Sequence, residues 1–233
     1  MKKQMLTEEL VEKKQDARGL SRRRFFGITG GLVAAGMLLD SCNKDDDDNN
    51  NNSGINLGSG DIGILNYAYA LEQLEAAFYT QVATTPYTGI TAAETALLTD
   101  IRDHEVAHRE FFKKALGSNA IQALEVNFSS ITFSSRDSVL ATAKAFEDLG
   151  VSAYNGAGKL ITTPDYLVLA GKIVSVEARH AAYIRDLISN GTFADNTVID
   201  MNGLDKSRTP SEVLSIAGAY LKSKLNASNL PTS

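Results

Sequence analysis

Two short runs of the chain pair a carboxylate with an imidazole at one spacing: D-H-E-V-A-H at 103–108 and V-E-A-R-H at 176–180. Each contains E-x-x-H, with Glu105 ahead of His108 and Glu177 ahead of His180. On a helix three residues fall just short of a turn, so both members leave the same face. Two further glutamates stand seven residues before a tyrosine, Glu72 before Tyr79 and Glu147 before Tyr154. Seven residues are close to two turns, so acid and phenol again share a face. Four carboxylates gathered in a core repel one another and lose hydration unless protons or cations neutralise them. Four carboxylates with two imidazoles form the ligand inventory of a dinuclear iron or manganese centre, one Glu from each of two helices and E-x-x-H from each of the others. The expected cofactor is therefore two divalent metal ions, Fe or Mn. The competing reading is a metal-free helical domain with inward polar residues.

The surroundings of these residues favour an inward orientation. Leu98, Ile101 and Phe112 continue the face of Glu105 and His108 at steps of three or four, and Ile173, Ile184 and Leu187 do the same for Glu177 and His180. Leu65, Leu140 and Val151 extend the faces of the Glu–Tyr pairs. Glu75 is a rival to Glu72, but no tyrosine follows it at seven residues, so Glu72 is preferred. His104 is rotated by about 100 degrees from Glu105 and reads as a partly exposed histidine or one that supports a ligand. Arg109 and Arg179 read as surface or supporting charges.

Four long helices must position these groups. The first spans about 62–82, apolar at helical spacing and free of proline. The second opens on T-A-A-E at 91–94, a capping-box spacing, and runs to Leu116 before glycine stops it. A polar, β-branched interval from 117 to about 134 is long enough to cross from one end of a bundle to the other, and V-N-F-S-S-I-T-F within it suits a short extended strap. The third helix covers about 135–157. The fourth starts at T-P-D, with Thr163 as cap and Pro164 at the first helical position, and reaches Ser189. A last helix begins at T-P-S-E, 209–212, and packs outside the others. The fold class is all-α: two helical hairpins joined by a long crossover between helices 2 and 3, suiting a ferritin-like four-helix bundle with an additional C-terminal helix, although periodicity alone also allows an ordinary helical repeat protein.

The runs L-N-Y-A-Y-A-L-E-Q-L-E-A-A-F-Y, D-H-E-V-A-H, E-D-L-G-V-S-A-Y-N-G-A and V-E-A-R-H-A-A-Y resemble the bacterial ferritin-like domain proteins related to plant desiccation-associated proteins. The resemblance covers roughly 62–190. It implies Glu72 as a terminal ligand, Glu105 as a bridge and His108 as the cap of the same metal. It likewise implies Glu147 as a terminal ligand, Glu177 as the second bridge and His180 as the cap of the second metal. Tyr79 and Tyr154 would orient carboxylates by hydrogen bonding.

The N-terminus is set apart from the fold. Residues 21–26 read S-R-R-R-F-F ahead of a weakly apolar run, 25–39, which is shorter than the roughly 17–25 residues that span a bilayer. Paired arginines before such a run resemble a twin-arginine signal. The run closes on L-D-S-C, and Cys42, the only cysteine, resembles the lipidated residue of a lipobox. A lone cysteine excludes an intramolecular disulfide. N-K-D-D-D-D-N-N-N-N-S-G then has nothing apolar to bury and reads as a solvated tether. The expected organisation is 1–41 export signal, 42–60 tether, 61–190 bundle and 191–233 extension with one helix. The product is an exported cell-envelope lipoprotein, periplasmic or surface-displayed, attached to the membrane by its lipidated N-terminus.

With 23 Lys and Arg against 28 Asp and Glu, and no basic patch, nucleic acid is an unsuitable partner. No phosphate loop, dinucleotide fingerprint or Ser-His-acid spacing is present. The function expected is that of a di-metal oxidoreductase acting on a small oxidant, dioxygen or peroxide, with ferrous oxidation or peroxide removal as its chemistry. The alternative is a non-catalytic, metal-stabilised envelope protein of stress protection or binding. No individual catalytic residue is assigned.

Overall fold

The computed structural model of the chain describes residues 54–232. The export signal, Cys42 and most of the tether lie outside these residues. Within them, β1 (Ile55–Asn56) leads into α1 (Gly60–Thr84) and α2 (Ala92–Leu116). A long connection reaches α3 (Arg136–Gly158), followed by α4 (Pro164–Ile188), α5 (Pro210–Ala217) and β2 (Leu225–Asn226). The α1–α2 and α3–α4 hairpins pack side by side with α1 facing α3, giving an all-α arrangement consistent with a ferritin-like bundle. No helix among the described residues is long and apolar enough to cross a membrane.

Local signals account for the helix ends. Thr91 accepts from the Glu94 backbone N–H while the Glu94 carboxylate accepts from the Thr91 N–H, a complete capping box. Thr209 and Glu212 repeat the device at α5. At α4 Pro164 occupies the first turn, but the Thr163 side chain makes no cap bond, contrary to the sequence expectation. Asp61 of α1 takes that part instead, accepting from the N–H groups of Thr162 and Thr163 at 2.8 Å each and from the Thr162 hydroxyl at 3.0 Å. The cap is thus supplied by the neighbouring hairpin.

Helix α1 is the centre of the molecule, buried without a break from Gly63 to Ala76. Two of its polar residues bind the crossover. Asn66 donates to the carbonyls of Leu57 and Asn119 and accepts from the Ile121 N–H; Gln73 accepts from the Leu124 N–H at 2.9 Å. These bonds satisfy backbone groups of an irregular segment that runs over the core. V-N-F-S-S-I-T-F is not an extended strap. Val126 makes a single bridge to Leu221, and the segment turns so that Phe128 and Phe133 pack their rings on Phe78 at 6.0 and 5.9 Å.

The segments outside the bundle close on one another. Ile55–Asn56 pairs in parallel with Leu225–Asn226, and Leu57 is fully buried. The expectation of a solvated tether as far as residue 60 therefore does not hold for Ile55 and Leu57, whose apolar side chains give them something to bury. At Gly156 a side chain would lie 1.7 Å from the Arg208 carbonyl oxygen, so the extension rests directly on the backbone of α3. Arg208 donates its N–H to the Ser152 carbonyl at 2.9 Å there.

Candidate metal centre

Glu72 comes from α1, Glu105 and His108 from α2, Glu147 from α3, and Glu177 and His180 from α4. All four carboxylates have no exposure, and His180 is 5% exposed. These residues form two groups, Glu72–Glu105–His108–Glu177 and Glu105–Glu147–Glu177–His180, within each of which the ligand atoms lie within 4.8 Å of one another. Glu105 and Glu177 belong to both. His108 Nδ1 lies 2.9 Å from Glu177 Oε1 and 3.4 Å from Glu72 Oε2; His180 Nδ1 lies 2.9 Å from Glu105 Oε1 and 3.5 Å from Glu147 Oε2. The arrangement has an approximate twofold relation between the hairpins.

These close approaches are not aligned as hydrogen bonds. Nδ1 of both histidines, both oxygens of Glu105 and of Glu177, Glu72 Oε2 and Glu147 Oε2 are buried without a hydrogen-bond partner. Their lone pairs face shared space, which an uncompensated polar cluster would not tolerate and which cations resolve. A donor set rich in carboxylate with one imidazole in each group suits iron or manganese, so the residues fit two divalent ions.

The remaining oxygens are tied down. Tyr79 on α1 donates to Glu147 Oε1 on α3 at 2.5 Å, and Tyr154 on α3 donates to Glu72 Oε1 on α1. Each phenol thus reaches the glutamate of the opposite hairpin, a crossing that spacing along one helix does not reveal. The phenols leave the second oxygen of each glutamate for the centre.

The titration behaviour follows from burial and crowding. Burial pushes Glu72 up to about 7, with His108 pulling against it, and holds Glu147 above and Glu177 well above the carboxylate range, the other glutamates adding to the shift. Glu105 is the exception: burial alone would raise it, but His108 and His180 on either side draw it down to about 2. Burial disfavours the charged imidazoles, yet the surrounding glutamates push His108 up to about 12 and His180 up to about 10. Without a cation the cluster neutralises itself with protons.

A family model described as a ferritin-like domain matches residues 60–190, more than half of the chain. The chain belongs to the ferritin-like domain family. A search of curated proteins finds no match. The match covers the four helices that carry the two ligand groups, so the ferritin-like domain and the buried clusters occupy the same stretch of chain.

Two residues set aside in the sequence lie at this ferritin-like centre. Glu75 is 4% exposed, and a side chain at Gly150 would sit 3.1 Å from Glu75 Oε1 and 3.7 Å from Glu177 Oε2. It is a fifth acid beside the cluster, outside both ligand groups, with its carboxyl held well above the usual range by burial and the neighbouring glutamates. Its signal was available: a second acid about one turn from Glu72, with Leu71, Leu74 and Ala76 around it. His104 is exposed, and its Nδ1 lies 2.9 Å from His180 Nε2. Arg109 pairs with Glu110 at the surface, away from the ligands.

Proposed function

We propose that the chain is an exported di-metal oxidoreductase of the ferritin-like family, holding two iron or manganese ions and reacting with dioxygen or peroxide. Glu72 and Glu147 would serve as terminal ligands, Glu105 and Glu177 would be shared by the two ions, and His108 and His180 would each cap one. The observation that carries this reading is the set of eight buried oxygen and nitrogen atoms left without hydrogen bonds across six side chains. Such ions supply electron exchange with a small oxidant. The protein's own part is to fix the ligands, orient Glu72 and Glu147 through the two tyrosines, and keep bulk water out.

The enclosure bears on the substrate. A cavity of about 730 Å³ between the end of α3, α5 and the C-terminal segment is lined by none of the six ligands. The space beside Tyr154 is apolar and only about 20 Å³. Dioxygen, peroxide and ferrous ion suit a centre covered in this way better than an organic substrate does.

Paired arginines, a short apolar run and Cys42 support export and lipid attachment at the cell envelope, with the acidic stretch behind Cys42 favouring surface display. Intact mass of protein from its native envelope tests this: a lipid-modified Cys42 at the N-terminus is expected, and an unprocessed Met1 contradicts it. Elemental analysis of the same material, followed by assays of ferrous oxidation and peroxide decomposition, tests the activity. Two ions per chain with turnover is the expected result. Two ions without turnover favours the second reading, a metal-stabilised envelope protein of stress protection or binding, which the burial of all four carboxylates supports.

A further inference from the structure

The two hairpins repeat E-x-x-H, but the residue ahead of each glutamate differs: His104 precedes Glu105, whereas Val176 precedes Glu177. That single difference reaches the centre. His104 extends from α2 to α4, where its ring lies nearly parallel to His180, at 7° and 5.1 Å between centroids, with its Nδ1 2.9 Å from His180 Nε2. His180 therefore turns Nδ1 into the centre, toward Glu105 and Glu147, while its outer nitrogen Nε2 meets His104. His108 has no such support. Its Nδ1 faces Glu72 and Glu177, its ring is 13% exposed, and among the described residues its Nε2 makes no hydrogen bond. Val176, partly buried, offers no donor or acceptor on its side chain.

We infer that the two metal positions are unequal and that His104 makes them so, as a positioning residue that holds His180 through its outer nitrogen. The inference rests on the di-metal reading above. An imidazole that binds a cation through Nδ1 carries its proton on Nε2. Donating that proton to His104 Nδ1 fixes both the tautomer and the rotation of the ring, and such an outer partner raises the basicity of the ligand. The Glu105–Glu147–Glu177–His180 position is then the tighter one and fills first. The Glu72–Glu105–His108–Glu177 position, whose imidazole must be ordered as the ion binds, follows. Because His104 is exposed, this support costs the fold little.

The test is titration of chelator-treated full-length protein with Mn2+, the free cation being read by electron paramagnetic resonance. Wild type is expected to bind two ions in resolved steps. His104→Ala should weaken the tighter step by about 10- to 100-fold, the range for loss of an outer partner to a ligating histidine, and leave the weaker step in place. His104→Asn, whose side-chain oxygen can accept the same proton, should restore most of the loss. In a His180→Ala background His104→Ala should have no further effect, and in a His108→Ala background it should keep its full effect. Unfolding curves of the cation-free variants check that the fold is intact. Two steps of unchanged affinity in His104→Ala, equal weakening of both steps, or indistinguishable sites in wild type would overturn the inference while leaving the metal centre standing. Failure of wild type to bind any cation would overturn both.

Discussion

Five residues along α4 from His180, the protein buries a second charged group, and the two sites are built on opposite plans. Arg185 is 1% exposed, yet its guanidinium is answered by Asp148 at 2.6 Å, Asp195 at 2.7 Å, the Thr192 carbonyl at 3.0 Å and the Thr197 hydroxyl. Four of its five N–H donors are used, and opposite charge stands beside it. Around Glu177 the excess is all of one sign, and the atoms that should be partnered face one another across shared space. A buried charge with two opposite charges beside it reads as architecture, fastening the 191–199 segment to α3 and α4. A buried cluster whose partners are missing calls for a ligand that brings the opposite charge.

The contrast breaks most clearly at a glutamate shared by both ligand groups. Glu105→Ala removes a ligand from both positions at once, so the affinity for Mn2+ should fall by more than about 100-fold, beyond the range for outer partners. Equilibrium dialysis with metal analysis measures it. At the other cluster, Arg185→Met should lower stability by about 3 kcal/mol, the lower end for breaking a buried pair, because Asp195 lies toward the surface. The loss should be the same with and without cation, and metal stoichiometry should stay unchanged. A cation-dependent loss in Arg185→Met would erase the distinction between the two sites.

A smaller change sharpens the comparison within the centre. Tyr79→Phe removes the phenol donor from Glu147 and should weaken cation binding by about tenfold, with the packing of the ring on Phe78 retained. Tyr154→Phe should do the same through Glu72. Isothermal titration of both variants would show whether the crossed hydrogen bonds hold the terminal ligands.

The last effect expected is on pH dependence. Glu72 is raised from 4.5 to about 7, so without cation its contribution to stability is full below pH 4.5 and disappears as pH rises through 7. Glu147, raised by burial, acts in the same direction. Glu105, lowered to about 2, contributes above pH 4.5 and loses its contribution only as pH falls through 2. The chelated protein should therefore melt lower at pH 8 than at pH 5, while the gain on adding Mn2+ grows, because cations replace protons on the same atoms. A stabilisation by Mn2+ that does not change between these values would contradict the shared use of those atoms.

Much of the bundle was legible because its signals are local. The Thr91–Glu94 capping box, the glycine after Leu116 and Pro164 each mark a boundary by chemistry that acts within one turn. The six candidate ligands stood out because glutamate and histidine on an apolar face are costly, and steps of three and four return them to that face. Relations between helices were not legible in the same way. Which glutamate each tyrosine reaches, the meeting of His104 with His180 and the contact of Asp61 with the start of α4 all depend on how the hairpins are set against each other. The helix of the extension was legible from its Thr209–Glu212 capping box, but its seat on α3 was not, since that is decided by the missing side chain of Gly156.

The central claim, that this cluster is built for two cations, is tested most directly by thermal unfolding of wild type and Glu147→Ala, each after chelation and after loading with Mn2+, with metal analysis on the same samples. Glu147→Ala removes one member of a ligand group and also a buried carboxylate crowded by others. After chelation the variant should melt no lower than wild type, whereas wild type should bind two ions per chain and gain clearly more from Mn2+ than the variant. Equal melting shifts in the two proteins, with unchanged metal stoichiometry, would contradict the account.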